Sequence, residues 1–120
     1  FIDGGALGFD TIAAETVIEM REKYQNIKLV MYLPCYGQSK MWKESEQFRY
    51  RMVLSKADKI IYITESVYTD DCMKLRNLKM IKDSSFCIAF CLMQKSGTGF
   101  TLRNAENVGI EIVNIADEIY

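Results

Sequence analysis

Apolar residues recur along the chain with two spacings, one typical of amphipathic helices and one typical of buried strands. Residues 86–92 are apolar at every position, as in a parallel strand that is covered on both faces. The apolar stripe of a helix predicted at 11–24 consists of Ala13, Val17, Met20 and Tyr24. The whole pattern predicts an opening strand at residue 1, helices at 11–24, 44–57, 71–83 and 100–108, and strands at 28–33, 59–64, 86–92 and 110–115.

The alternation of strands and helices predicts an α/β fold, a Rossmann-like parallel sheet with helices on both faces. Ligands of such sheets bind at the carboxyl ends of the strands, where the strand–helix loops lie. The 120 residues fit a single domain, 1–120. Because the chain opens at Phe1, inside a predicted strand and without Met, we expect this domain to be incomplete at its N-terminus.

Two glycine-bearing segments, 3–10 and 95–101, each lie between a predicted strand and a predicted helix. Glycine allows positive φ and close approach of a ligand, and a helix start offers free N–H groups and a positive dipole end. Together these features favour an anion, most often phosphate. The first segment is not GxGxxG and the second lacks the Lys of a P-loop, so magnesium-dependent triphosphate hydrolysis is not supported. The expected partner is a nucleotide or a sugar phosphate.

Three side chains near these segments are suited to a ligand, and each has a structural alternative. Asp10 either caps the first helix or contacts a ligand hydroxyl. Arg76 is either a surface residue or a clamp on a ligand phosphate, and Asn77 is either a core amide or a ligand contact. No catalytic residue is assigned. The candidate ligand-binding residues are Gly4, Gly5, Gly8, Asp10, Arg76, Asn77, Ser96, Gly97, Thr98, Gly99 and Thr101.

Composition narrows the classes of partner. The net charge of −1 provides no general basic surface, so nucleic acid is not an expected partner. No apolar run approaches the roughly 20 residues of a membrane-spanning helix, and we expect a cytoplasmic protein without a membrane partner. The chain has no His and no CxxC pair, so neither a metal nor a cofactor is expected, and homo-oligomer formation stays open. Free thiols are expected at Cys35, Cys72, Cys87 and Cys91.

Five segments together resemble the SLOG superfamily, and more narrowly its DUF1273 (YpsA-like) branch. They are residues 4–15, 33–35, 57–58, 72–77 and 96–101. The resemblance implies a Rossmann-like fold that binds nucleotides or nucleotide derivatives. The superfamily includes the Lonely Guy phosphoribohydrolases, which cut the N-glycosidic bond of nucleoside monophosphates, and the DNA-processing protein DprA. The branch usually begins with a further strand and a Thr-Gly-His-Arg-type loop, so the resemblance implies that an N-terminal strand and helix are missing here.

The resemblance to the hydrolases fails at a residue that they use for cleavage. Arg76 and Met80 match an Arg that the hydrolases place four residues before a Met. Their glycine-rich motif carries a catalytic Glu, whereas the matching positions here are Leu102 and Arg103. The leading interpretation is a nucleotide-binding SLOG module that acts as a sensor or regulator without strong catalysis. The alternatives are a phosphoribohydrolase and a DprA-like DNA-binding protein, and the net charge argues against the second.

Overall fold

A computed structural model of the chain describes residues 1–64, 69 and 71–120. The described residues form strands and helices in the alternating order that the sequence predicts, with parallel strands as in a Rossmann-like fold, and a short helix that the pattern does not predict follows the last strand. The strands are β1 (Ile2–Asp3), β2 (Val30–Leu33), β3 (Lys59–Tyr62), β4 (Phe86–Ala89) and β5 (Glu111–Asn114). The helices are α1 (Phe9–Met20), α2 (Glu44–Lys56), α3 (Cys72–Lys82), α4 (Gly97–Asn107) and α5 (Ala116–Ile119). Two compact units, Phe1–Arg76 and Asn77–Tyr120, are described separately below.

The first unit contains a three-stranded parallel sheet in the order β1-β2-β3. β2 is the central strand, with Ile2 opposite Val30 on one side and Met31 opposite Ile60 on the other. Hydrogen bonds extend the ladder beyond the strand ends, because the Ile63 amide donates to the Leu33 carbonyl at 2.8 Å. The parallel arrangement puts the carboxyl ends of these strands, and the loops that follow them, at one edge of the sheet.

The core of the first unit packs α1 and α2 against the central strand β2. Its buried residues are Ala14, Val17, Leu29, Met31, Leu33, Tyr50 and Val53. The predicted stripe of α1 is partly wrong, because the buried face runs through Thr11, Ala14 and Val17, and Met20 is 37% exposed. These buried residues of α1 are spaced three positions apart and therefore lie on one face of the helix.

The second unit contains a parallel pair, β4 and β5, in which Phe86 lies opposite Glu111. β4 ends at Ala89, before the predicted end at residue 92, and beyond it the backbone of Cys91 is hydrogen-bonded by the side chain of Asn114. Its Oδ1 accepts from the Cys91 amide at 2.9 Å, and its Nδ2 donates to the Cys91 carbonyl at 3.0 Å. The expected burial of both faces is also wrong, since Phe86 is 46% exposed.

The predicted C-terminal end of α4 agrees with the structure to within one residue, although the helix begins at Gly97 and not near residue 100. α4 ends at Asn107, and Gly109 follows with φ 81°, as the sequence predicts for a residue just past a helix C-terminus. Glycine adopts this left-handed conformation without the strain that a side chain would introduce. Among the described residues, no helix is both long and apolar enough to cross a membrane.

Candidate functional site

The first glycine loop, residues 3–10, joins β1 to α1 and is held by its own side chains. The Asp3 carboxyl accepts a hydrogen bond from the Gly5 amide at 2.8 Å, and the Asp10 carboxyl accepts one from the Ala6 amide at 3.1 Å. The Thr11 hydroxyl donates to the Ala6 carbonyl at 3.1 Å. Gly5 has φ 69°, a conformation that side chains disfavour. The sequence therefore fixes a tight turn at the carboxyl end of β1.

Gly8 is the residue that precedes α1, with φ 86° and no atom near the position that a Cβ would occupy. α1 has no side-chain cap at its N-terminus. The predicted capping role of Asp10 is therefore wrong: Asp10 lies inside the first turn, and its carboxyl binds the Ala6 amide instead. A helix start without a side-chain cap presents the positive end of its dipole to whatever lies in front of it.

Arg76 lies beneath the first glycine loop and is only 5% exposed. Its Nη1 donates to the Gly4 carbonyl at 2.6 Å, a contact between residues 72 positions apart in the chain. A Cβ built on Gly4 would stand 2.8 Å from that same Nη1, so only glycine leaves room for the guanidinium. Arg76 therefore stabilises the loop from the protein interior. The alternative prediction, that Arg76 is a surface residue, is wrong.

Two carboxyl groups and one guanidinium share this buried region. Burial and, to a smaller extent, the neighbouring Asp10 carboxyl raise the pKa of Asp3 to about 8, against the Gly5 hydrogen bond and the charge of Arg76. Burial also raises the pKa of Asp10, although Arg76 and the Ala6 amide oppose it. Burial lowers the pKa of Arg76, while both carboxyls favour its charged form. Near neutral pH, Asp3 therefore holds a proton in the folded protein.

Gln38 and Tyr50 complete the polar surroundings of the loop. Gln38 is 8% exposed, and its Nε2 donates to the Tyr50 hydroxyl at 3.1 Å. Its Oε1 is buried and has no hydrogen-bond partner among the described residues. Both side chains lie against Gly5, where a built Cβ would be 3.2 Å from Tyr50 and 3.3 Å from Gln38. An unpaired buried acceptor is destabilising by about 1–3 kcal/mol unless something else supplies a donor.

Cys35 and Cys72 place two thiols beside the same region. Their sulfur atoms are 3.7 Å apart, both residues are fully buried, and all four cysteines of the chain are free thiols. Burial and the Cys72 thiol raise the pKa of Cys35 to about 11, which keeps it protonated and unreactive. The described residues contain no group of three or more side chains suited to hold a metal ion.

The second glycine loop, residues 95–101, leads into α4 in the second unit. Ser96 is the N-cap: its hydroxyl accepts from the Gly99 amide at 3.1 Å and donates to the Met93 carbonyl at 2.6 Å. The Thr101 hydroxyl donates to the Gly97 carbonyl at 3.1 Å. These two hydroxyls stabilise the loop itself. The Thr98 side chain is exposed, and the amides of Gly97 and Thr98 belong to the first turn, where no intrahelical acceptor exists.

The predicted site residues fall into two groups, one in each unit. The first unit brings together Gly4, Gly5, Gly8, Asp10 and Arg76, and the second contains Asn77, Ser96, Gly97, Thr98, Gly99 and Thr101. That both groups bind one ligand at the carboxyl ends of the strands stays a prediction. Sequence reasoning missed four polar residues around the first loop: Asp3, Thr11, Gln38 and Tyr50. A signal existed only for Asp3, which is an acid directly after an apolar strand residue and before two glycines.

Comparison with known proteins gives one consistent result. The model of the YspA SLOG family matches residues 1–109. A UPF0398 protein of Bacillus cereus strain B4264 is 35% identical over 98 residues, which cover 81% of this chain and 53% of that protein. A UPF0398 protein of Bacillus thuringiensis strain Al Hakam is 34% identical over 98 residues with the same coverage. The chain spans about half the length of the curated relatives it matches.

Proposed function

Because this chain belongs to the YspA SLOG family, which supports a nucleotide-related module at the family level, we propose that it binds a nucleotide or nucleotide derivative at the first glycine loop. The observation that carries the proposal is the start of α1. The helix follows Gly8 at positive φ and has no side-chain cap. Its first turn therefore offers backbone N–H groups and a positive dipole end to a phosphate.

The surroundings of the loop support a ligand with more than a phosphate. Asp10 is partly exposed next to the uncapped helix start, and carboxyl groups accept hydrogen bonds from sugar hydroxyls. Gly4 and Gly5 bring the backbone close without side chains in the way. A nucleoside phosphate combines an anionic group and hydroxyl groups in one molecule, so it suits both features.

We further propose a sensing or regulatory role without strong catalysis. Leu102 and Arg103 lie on α4 where the resemblance places the catalytic Glu of the hydrolases. Cleavage of an N-glycosidic bond develops positive charge on the ribose, which a nearby carboxylate stabilises and Arg103 opposes. Loss of one such electrostatic group reduces rates by about 10²–10³.

A phosphoribohydrolase is the second candidate function, and Asp3 favours it. With a pKa of about 8, Asp3 carries a proton near neutral pH beside the first glycine loop. A protonated carboxyl can act as a general acid towards a departing base. Incubation with AMP and detection of ribose 5-phosphate separates the two candidates: release at enzymatic rates supports the hydrolase and contradicts the sensor.

Calorimetry with AMP, ADP-ribose and adenosine tests the binding proposal. We expect AMP and ADP-ribose to bind at least about tenfold more tightly than adenosine, because a charge-assisted contact to the α1 start is lost without phosphate. Equal affinities for the nucleoside and its monophosphate would contradict the proposal.

Gly8→Ala and Gly109→Ala form a matched pair of variants for the same test. Both glycines have positive φ, 86° and 81°, with open space at the Cβ position, so backbone strain destabilises both variants by about 1–3 kcal/mol, and Gly8→Ala more strongly because Gly8 has ψ −119°. Only Gly8→Ala disturbs the start of α1. We expect weaker AMP binding for Gly8→Ala and unchanged binding for Gly109→Ala.

A further inference from the structure

The buried polar cluster beneath the first glycine loop consists of Asp3, Asp10, Gln38, Tyr50 and Arg76. We propose that this cluster recognises the hydroxyl groups of a ribose-type sugar, while the phosphate of the same ligand lies at the start of α1. The inference rests on the proposed function and deepens it, because it names the part of the ligand that the cluster selects.

The charges in the cluster favour neutral hydroxyl groups over phosphate. The cluster contains two carboxyl groups, those of Asp3 and Asp10, and one guanidinium group, that of Arg76. The Arg76 Nη1 already donates to the Gly4 carbonyl. With Asp3 protonated near neutral pH, the charges of Asp10 and Arg76 offset each other, so the cluster has no net positive charge that would attract a phosphate. A sugar hydroxyl has no charge, and it can donate to a carboxylate or accept from a protonated carboxyl. The cluster therefore complements hydroxyl groups in either protonation state of Asp3.

Gln38 provides an independent observation that points to a missing donor. Its Oε1 is buried and unpartnered among the described residues, although its Nε2 is satisfied by the Tyr50 hydroxyl. The amide lies against Gly5, whose missing side chain permits the close approach. A ligand hydroxyl that donates to Oε1 would supply the hydrogen bond that the described residues do not.

The cluster also has an edge from which a sugar can approach. Asp10 is partly exposed, whereas Asp3, Gln38 and Arg76 are at most 8% exposed. Asp10 also lies in the first turn of α1, next to the expected phosphate position. A single nucleotide can therefore place its phosphate at the helix start and its sugar over the cluster.

Calorimetry on the wild-type chain tests the inference with pairs of ligands that differ in one hydroxyl. The probes are AMP against 2′-deoxy-AMP, ribose 5-phosphate against 2-deoxyribose 5-phosphate, and inorganic phosphate alone. We expect each ribose compound to bind at least about tenfold more tightly than its deoxy partner, because the deoxy compound leaves a buried polar group unpaired. Inorganic phosphate should bind most weakly.

The outcomes distinguish this inference from the proposed function. Equal binding of AMP and 2′-deoxy-AMP, both tighter than adenosine, overturns the sugar-recognition role and leaves the nucleotide proposal standing. Absence of binding by every nucleotide overturns both. These arms use the unmodified protein, so they decide the inference even where a variant fails to fold.

The double variant Gln38→Leu/Tyr50→Phe locates the effect in the cluster. It removes both partners of one buried hydrogen bond together with the unpaired Oε1, so the thermal midpoint of the ligand-free protein should stay unchanged or rise. We expect AMP affinity to fall to that of 2′-deoxy-AMP, whose own affinity stays unchanged. Gln25→Leu, at an exposed glutamine, is the matched control and should keep the preference. A double variant that keeps the ribose preference contradicts the assignment.

Discussion

The substitution Asp3→Asn tests the electrostatics of the first glycine loop most directly. Asp3 is 7% exposed, and its Oδ1 accepts a hydrogen bond from the Gly5 amide. Asparagine has nearly the same shape and keeps a carbonyl acceptor for that amide, but it cannot ionise. The variant therefore removes the titration of residue 3 while it leaves the turn in place.

The sign and size of the effect follow from the pKa of Asp3. Burial and the Asp10 carboxyl raise it from 3.8 to about 8, so between these values the folded protein binds a proton that the unfolded chain releases. The free energy of unfolding consequently decreases as the pH rises from about 4 to about 8, and this contribution is constant above that range. At about 1.4 kcal/mol per pH unit, the decrease amounts to at most about 6 kcal/mol. Asp3→Asn should therefore stabilise the protein near pH 8 and have little effect near pH 4.

Urea unfolding of both proteins at several values between about pH 5 and pH 9, in a reducing buffer, measures this difference. Asp58→Asn is a control of opposite sign, because the Leu29 amide and Arg21 lower the pKa of Asp58. Asp58 stabilises the folded state above its unfolded pKa, and that contribution is lost as the pH falls through its folded pKa. The reasoning is refuted if Asp3→Asn destabilises the protein near pH 8, or if its advantage does not shrink towards pH 5.

Three further predictions concern the second glycine loop and the buried thiols. Gly99→Ala should lower the free energy of unfolding by at least about 2 kcal/mol, because its Cβ would clash with the Gln94 carbonyl oxygen, whereas Gly97→Ala, in open space, should change it by about 0.5 kcal/mol or less. Ser96→Ala should lower it by about 1 kcal/mol through loss of the N-cap bond to Gly99, and urea unfolding measures all three variants. A thiol reagent should leave Cys35 and Cys72 unmodified until the protein unfolds, and mass spectrometry that finds both modified in the native protein would contradict this.

The sequence by itself determined the order of the elements and the places where the chain turns. The apolar spacings predicted the helices at 44–57 and 71–83 to within about one residue of α2 and α3, because both patterns depend on neighbours a few positions apart. Gly109 likewise marked the end of α4, since a left-handed conformation after a helix favours glycine whatever the rest of the protein does. The family resemblance could also be drawn from the sequence, because it rests on the order of short segments.

Only the tertiary structure decided which side chains meet. The face of α1 that is buried depends on how the helix packs against β2, so Ala14 is in the core although the sequence favours Ala13. Arg76 is buried against Gly4, 72 positions away in the chain. The same contact explains why residue 4 is glycine, because a side chain there would clash with the guanidinium. Strand register and helix packing determine such contacts, and the local spacing of apolar residues does not specify either of them. For the same physical reason, the sequence could not show that Oε1 of Gln38, beside the first glycine loop, is buried without a partner among the described residues.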